Sequence, residues 1–380
     1  MMKPIVVLGS GLAGYTVVRE LRKLNRDIPV TLVSRDSGVY YSKPMLSNAL
    51  AQSKSVESLM LSSATDMASQ LDIKLLTHTA VRAIHRASKQ LDTTSGILQY
   101  DQLVLALGAD PIRIPILGDA ANEVISVNDL ADYAKLRRIL DTAKSIVIMG
   151  GGLIGCEFAN DFAASGYVVT VIDPTAYPLS GLMPEQAGRQ MIEPLAKLGV
   201  TWRFGAAVKT VERDTTCFRL TLTDGTTLPA DVVLSAVGLR PRIELARNSG
   251  IVVNRGIVVD AQLRSSDADI YALGDCAEIE GRVMPYVLPI MHSARFLARV
   301  LSGENARVEF PPMPVVVKTP AHPVAVQPIA RDVTGVWKIL AQGVGIKLGF
   351  FGAQNQLRGF VLTGEFAGER SEMVKQLSAN

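Results

Sequence analysis

The chain has 380 residues, 39 Lys and Arg against 36 Asp and Glu for a formal net charge of +3, and 48% hydrophobic residues. That balance excludes a disordered or collagen-like chain and gives no ground for nucleic-acid binding from composition. Three dispersed cysteines, Cys156, Cys217 and Cys276, make no disulfide framework, and the length suggests two or three domains.

Lys3 precedes an apolar run, but Arg19, Glu20, Arg22 and Lys23 follow without a small-residue cleavage site, so the start does not read as an export signal. No run of about 18 apolar residues argues for a spanning helix. The expected location is the cytoplasm. Residues 4 to 8 read as a strand, 12 to 24 as a helix and 29 to 34 as a second strand, a complete βαβ unit. Residues 145 to 173 repeat it as "SIVIMG", "LIGCEFANDFAASG" closing at Gly166, and "YVVTVID".

The segments "YDQLVLALGADP" (100 to 111) and "PADVVLSAVGLRP" (229 to 241) also match one another, each a strand ending in a glycine, Gly108 and Gly238. "IYALGDC" (270 to 276) comes from another strand. The last seventy or so residues carry the short runs "VVVKTP", "WKILAQ" and "LRGFVLTGE" and one terminal helix pattern. The expected fold is α/β, with two Rossmann-like three-layer nucleotide-binding domains and a small C-terminal α+β domain. The expected boundaries are 1–113 with 244–314, then 114–243, then 315–380.

Each βαβ unit opens with a glycine pattern at its first turn: "GSGLAG", which spans Gly9, Ser10, Gly11, Leu12, Ala13 and Gly14, and "GGGLIG", with Gly150, Gly152, Ile154 and Gly155. A helix N-terminus offers free N–H groups and a positive dipole end to a pyrophosphate. In such a pattern the first glycine makes the tight turn, the second admits the phosphate and the third lets helix and strand pack closely. Two copies in matching context point to two nucleotides rather than to two ordinary turns.

An acidic residue about 20 positions on would hold a ribose hydroxyl. In the second unit it is Asp173, with no Arg in "DPTAYPLSG" to accept a 2′-phosphate, which favours NADH over NADPH. A turn aspartate ahead of Pro174 is the alternative. In the first unit the same place holds Ser34, followed by Arg35 and Asp36, so the acid is missing there.

With "GSGLAG", "YYSKPMLS", "VLALGADP", "GGGLIGCEFAND", "SAVGLRPR" and "IYALGDCAE" in this order, the chain resembles the FAD-dependent pyridine nucleotide-disulfide oxidoreductase superfamily along essentially its whole length. Its likeness is greatest to the rubredoxin-reducing members, through "YYSKPMLS" and "VNRGIVVD". The resemblance implies FAD on the first nucleotide domain, NADH on the second and a C-terminal interface-type domain. It implies that Asp275 meets the flavin-side phosphate or ribitol, and that Lys43 and Glu157 are the flavin-side base and nicotinamide-side acid, paired near flavin N5. By position, the resemblance implies that Val81, Val287 and Lys318 are further FAD contacts. A turn aspartate, a surface lysine and an ordinary helical glutamate are the alternatives for Asp275, Lys43 and Glu157.

Disulfide reductases of this superfamily carry redox cysteines on the helix after the ribose strand, but residues 36 to 60 contain none. Cys156 and Cys276 read as small packing residues. Electrons taken in pairs from NADH must then leave the flavin directly for a one-electron acceptor. The implied activity is NADH-dependent reduction of rubredoxin, as in alkane hydroxylation or oxygen detoxification. A [2Fe-2S] ferredoxin-type acceptor, or a slow-turnover FAD/NADH sensor module, stays open.

Arg295 and Arg299, at i and i+4 on the predicted helix "PIMHSARFLARVLSG", are candidate docking residues for an acidic iron-sulfur carrier. Arg19, Arg22, Lys23 and Arg26 form a second candidate face, and either set reads equally as a solvated face. His78, His85, His292 and His322 follow no metal-ligand spacing.

Overall fold

The computed structural model describes residues 4–330 and 333–378, so Lys3 lies outside the described residues. The chain divides into two compact units, one from Met1–Lys43, Glu57–Asp110 and Leu239–Phe310, the other from Pro44–Val56, Pro111–Gly238 and Pro311–Asn380.

The first unit is built on a five-stranded parallel sheet in the order Ile270–Ala272, Gln102–Leu105, Ile5–Leu8, Val30–Val33, Lys74–Leu76. Ile5–Leu8 lies in the middle with all four side chains buried, as a parallel strand covered on both faces must. Burying such a side chain is worth roughly 1.5–3 kcal/mol, so the sheet centre is the rigid platform of the unit. The chain leaves this strand at Gly9, runs through the helix Leu12–Leu24 and returns on one side as Val30–Val33, while Gln102–Leu105 flanks the other side. The glycine loop therefore sits where the strand order reverses, the place where open α/β sheets bind ligands. The antiparallel strands Val81–His85, Gln90–Thr93 and Gly96–Gln99 form another layer, with Ile84 and Leu91 in the same core.

The second unit repeats the plan with a four-stranded parallel sheet, in the order Val200–Phe204, Val168–Asp173, Ser145–Met149, Val232–Ser235. Its helix, Leu153–Ala164, stops two residues before Gly166, which takes the left-handed conformation (φ +89°) that ends helices cleanly. The antiparallel strands Val208–Asp214, Cys217–Leu222 and Thr227–Ala230 pack Val211, Leu220 and Leu222 against Val147, Met149 and Val233 of the parallel sheet.

The C-terminal part of this unit is a five-stranded antiparallel sheet, in the order Val315–Val317, Val324–Gln327, Leu357–Thr363, Ile346–Phe351, Val336–Gln342. The helix Arg370–Ser378 covers it, with Met373 buried against Phe360 and Leu362. The expected α/β architecture with two nucleotide-type folds and a small α+β region is the one observed. Among the described residues no helix is long and apolar enough to cross a membrane.

Candidate functional site

The two glycine loops have nearly the same backbone. Gly9 and Gly150 lie at φ +117° and +103°, a region costly for other residues. A Cβ on Gly14 would be driven into the carbonyl oxygen of Gly9, and one on Gly155 into that of Gly150, so helix and strand approach to backbone contact. At the second glycines, Gly11 and Gly152, nothing lies within 4 Å of where a Cβ would be, and both are exposed. Each loop thus leaves an open space directly at a helix start, where the first N–H groups of Leu12–Leu24 and Leu153–Ala164 lack intrahelical acceptors. That cradle fits a dinucleotide pyrophosphate in both units.

Around the first loop the structure assembles several predicted segments. Gly9 backs onto the carbonyl of Ala106, at the end of the strand that leads to Gly108 (φ +72°). Gly274 (φ +78°) would bring a Cβ within 3.0 Å of the Ala13 methyl, which sets Asp275 beside the loop. Burial raises the Asp275 carboxyl, opposed by the positive charges of Lys43 and Arg242. Arg242 also holds Asp110 at 2.5 Å and donates to the carbonyl of Leu107 at 2.9 Å. Arg35 is exposed and approaches Asp110 only at 3.9 Å. Val81 opens the strand Val81–His85, and Val287 opens the helix Val287–Leu301.

Two residues after Ser34, Asp36 brings a carboxylate to the first loop. Asp36 Oδ1 accepts from the Ser34 hydroxyl at 2.6 Å, from the Ser10 hydroxyl at 3.2 Å and from Gly38 N–H at 2.9 Å. Burial would raise its pKa, but the hydrogen bonds from Ser34, Gly38 and Ser10 outweigh it and hold the carboxyl below its ordinary range. Ser10 and Ser34 are also 2.6 Å apart, so the loop and the strand end share one polar network. A search confined to the strand terminus passes over Asp36; the signal was an Asp two residues from a serine that cannot itself carry charge.

At the second loop Asp173 is buried, and its Oδ2 accepts the Gly151 N–H at 2.5 Å. Its Oδ1 takes the backbone N–H of Thr175 at 2.8 Å and the Thr175 hydroxyl at 2.5 Å. A carboxylate oxygen accepts about two hydrogen bonds, so Oδ2 keeps one acceptor position. Gly238 (φ +114°) closes the parallel segment and accepts from Ile112 N–H at 3.0 Å. Ile154 stands exposed in the first helical turn.

Glu157 is fully buried. Its carboxylate binds Lys318, with Nζ 2.6 Å from Oε2 and the Lys318 N–H 2.9 Å from Oε1. Lys318 follows the edge strand Val315–Val317, which packs against the helix of Glu157, and that tertiary juxtaposition has no local signature. The Ser47 hydroxyl also donates to Glu157 Oε2, at 2.5 Å. One turn on, Asp161 accepts the N–H groups of Leu50 and Ala51 at 3.2 and 2.9 Å, and Asn160 accepts that of Ala321 at 3.0 Å. Burial raises the Asp161 carboxyl, with those N–H bonds pulling the other way. None of Ser47, Asn160 and Asp161 stood out in sequence.

The remaining candidates divide. Arg22 is buried and donates to the carbonyls of Leu71, Ile28 and Asp72 at 2.6, 2.9 and 2.8 Å, while Arg26 lies beyond the helix end, so the expected face of Arg19, Arg22, Lys23 and Arg26 does not exist. Arg295 and Arg299 are both exposed, but Arg299 pairs with Glu304 at 2.8 Å. Burial pushes the Cys156 thiol up strongly and the Cys276 thiol up to about 11; all three cysteines are free. Such thiols do not relay electrons. His322 is buried, with its pKa lowered by that burial, and His292 contacts the carbonyl of Glu309. Among the described residues no group of His, Cys, Asp and Glu could hold a metal.

Comparison with known proteins agrees with this geometry. Residues 3–294 match the pyridine nucleotide-disulphide oxidoreductase family, and residues 307–377 match the rubredoxin binding C-terminal domain. A rubredoxin-NAD(+) reductase of Alcanivorax borkumensis is 45% identical over 100% of this chain and 99% of its own length. The Acinetobacter baylyi protein of the same name is 43% identical over 99% and 98%. Among solved structures, the covalent putidaredoxin reductase-putidaredoxin complex is similar with TM-score 0.88 and 26% identity, over 98% of this chain and 93% of that one.

Proposed function

The chain belongs to the pyridine nucleotide-disulphide oxidoreductase family, and from that premise we propose that it is an FAD-dependent reductase that carries electrons from NADH to rubredoxin. The observation that carries this reading is the pair of glycine loops, each open at its second glycine and each at a strand-order switch point. One loop alone would fit a single-nucleotide enzyme.

When bound, a flavin supplies the exchange between a donor of paired electrons and a one-electron acceptor. The rest is positioning by this chain. The helix starts after Gly11 and Gly152 hold the two pyrophosphates, and Ser10, Ser34 and Asp36 take the polar groups of the first nucleotide. Asp173 holds a ribose hydroxyl of NADH with its remaining acceptor position and repels a 2′-phosphate. Asp275 and Lys43 would hold the flavin, and Glu157 with Lys318 would serve the nicotinamide. Residues 1–113 with 244–314 bind FAD, 114–243 bind NADH, and 315–380 are the interface-type region in this reading. Three free cysteines fit residence in the reducing cytoplasm. Which enzyme the reduced rubredoxin feeds, alkane hydroxylation being one route, lies outside the site.

Rapid mixing tests the reading. NADH should bleach the flavin within milliseconds to seconds, and oxidised rubredoxin should restore its colour quickly, while a [2Fe-2S] ferredoxin does so slowly. A reduced species that persists with rubredoxin would make the protein a binding module instead.

A further inference from the structure

We propose that Ser47 is a positioning residue for this reaction, whose hydroxyl locks the Glu157 carboxylate and the Lys318 ammonium into one orientation. The proposal rests on the functional reading above. Glu157 can only accept and Lys318 can only donate, so the hydroxyl has one available direction. It donates to Glu157 Oε2 at 2.5 Å and accepts from Lys318 Nζ at 3.1 Å. Nζ spends its remaining donors on Glu157 Oε2 at 2.6 Å and on the carbonyl of Pro44 at 2.5 Å. All three ammonium protons are thus assigned, and Ser47 is the uncharged member of a closed triangle.

The bond has little to add to holding the segment in place. Asp161 already ties residues 50 and 51 to the same helix, and Asn160 ties residue 321. A buried ion pair is also weak evidence of stabilisation. What the hydroxyl adds is a second constraint on Oε2 and Nζ, beside the Lys318 N–H on Oε1. Without it the ammonium has a vacated donor and a third-exposed side chain free to turn toward water, and Glu157, with no exposure of its own, follows. Misplacement of such a group by a fraction of an ångström costs rate rather than binding.

The test compares wild type with Ser47→Ala, Ser47→Cys as a near-isosteric second variant, and Ser47→Thr. Flavin reduction by NADH is followed by rapid mixing. Separately, acylation of Lys318 by a water-soluble amine reagent is followed by mass spectrometry on the purified protein, a readout independent of turnover. The expected result is an about tenfold lower limiting reduction rate in the Ala and Cys variants. The NADH concentration at half saturation should stay within about twofold, Lys318 labelling should rise several-fold, and Thr should restore both. Unchanged Lys318 labelling, or raised labelling with an unchanged rate, would overturn the proposal while leaving the reductase reading intact. A wild type that NADH leaves oxidised would overturn that reading and this one together.

Discussion

The two glycine loops agree in backbone and differ in what lies behind them. Gly11 and Gly152 share dihedrals of −76°, −172° and −74°, −171°. Yet the helix after Gly11 buries the one charged residue Arg22 beside Tyr15, Val17, Val18 and Leu21, whereas the helix after Gly152 buries two carboxylates and an amide, Glu157, Asp161 and Asn160, beside Phe158 and Phe162. The turn is dictated locally, by positive φ and by the missing Cβ atoms. The helix face is dictated by its neighbours: the first helix packs on another helix, while the second meets the segments around Ser47 and Lys318, which present N–H groups and an ammonium that need acceptors. Closely similar loops can therefore precede helices that differ in how many acidic groups they bury.

The sharpest way to break the parallel is to fill each loop. Gly14→Ala and Gly155→Ala force a methyl into backbone, which nothing flexible can relieve, at a cost of roughly 1–3 kcal/mol or more. Gly14→Ala should purify without flavin. Gly155→Ala should keep its flavin and lose at least tenfold in apparent NADH affinity. Gly11→Ala and Gly152→Ala meet no atom within 4 Å, so their thermal midpoints should stay near wild type while FAD retention and NADH binding, respectively, fall. If Gly152→Ala binds NADH normally, the pyrophosphate does not use that helix start.

Asp173→Ala comes next. It removes an anion from the ribose position, and NADH preference over NADPH should drop about tenfold, or about 1.4 kcal/mol, measured as a ratio of kcat/KM. The same change strands the Gly151 and Thr175 N–H groups, so the thermal midpoint should fall as well. Lost stability with unchanged preference would make Asp173 a turn residue only.

Much of this frame was legible in the sequence because its causes are local. The strand Ile5–Leu8, the helix Leu12–Leu24 and their counterparts after residue 145 follow from periodicity and from glycines that the backbone itself requires. The charged face was not legible. Glu157 was visible as a family acid, but its partner Lys318 is 161 positions away and its neighbour Ser47 is 110 away. Asp36 lay in plain view and was passed over because it follows the strand end instead of forming it. Arg22 misled in the opposite sense: a cation among cations reads as surface, yet the carbonyls of Leu71 and Asp72 at the end of the helix Ala64–Leu71, and of Ile28 beyond its own helix, draw it inward.

Two aspartates near the first loop should respond to pH in opposite directions. For Asp275, burial raises the folded pKa above its ordinary 3.8, so stability is complete below that value and declines as pH rises through the folded pKa. Asp275→Asn should therefore raise the thermal midpoint at neutral pH while weakening flavin retention. For Asp36 the folded pKa is depressed, so its contribution is present above 3.8 and is lost as pH falls through the folded value. Asp36→Asn should lower stability at neutral pH, by less than about 1 kcal/mol because the side chain is exposed and screened. The difference from wild type should close below pH 3.8.

The smallest effect belongs to the docking charges. The rubredoxin-binding match covers residues 307–377, which hold eight Lys and Arg against five Asp and Glu, so charges on the helix Val287–Leu301 are expected to add little to the docking of an acidic carrier. Arg299 is already paired with Glu304, and an exposed pair of that kind leaves little field for a partner. Arg295→Glu should raise the apparent KM for rubredoxin only about two- to threefold at low salt, and Arg299→Glu less. Both effects should vanish near 0.5 M salt, where screening acts within a few ångströms. A tenfold rise for Arg295→Glu that survives high salt would move the contact onto that helix and make it a packed interface instead of a steering charge.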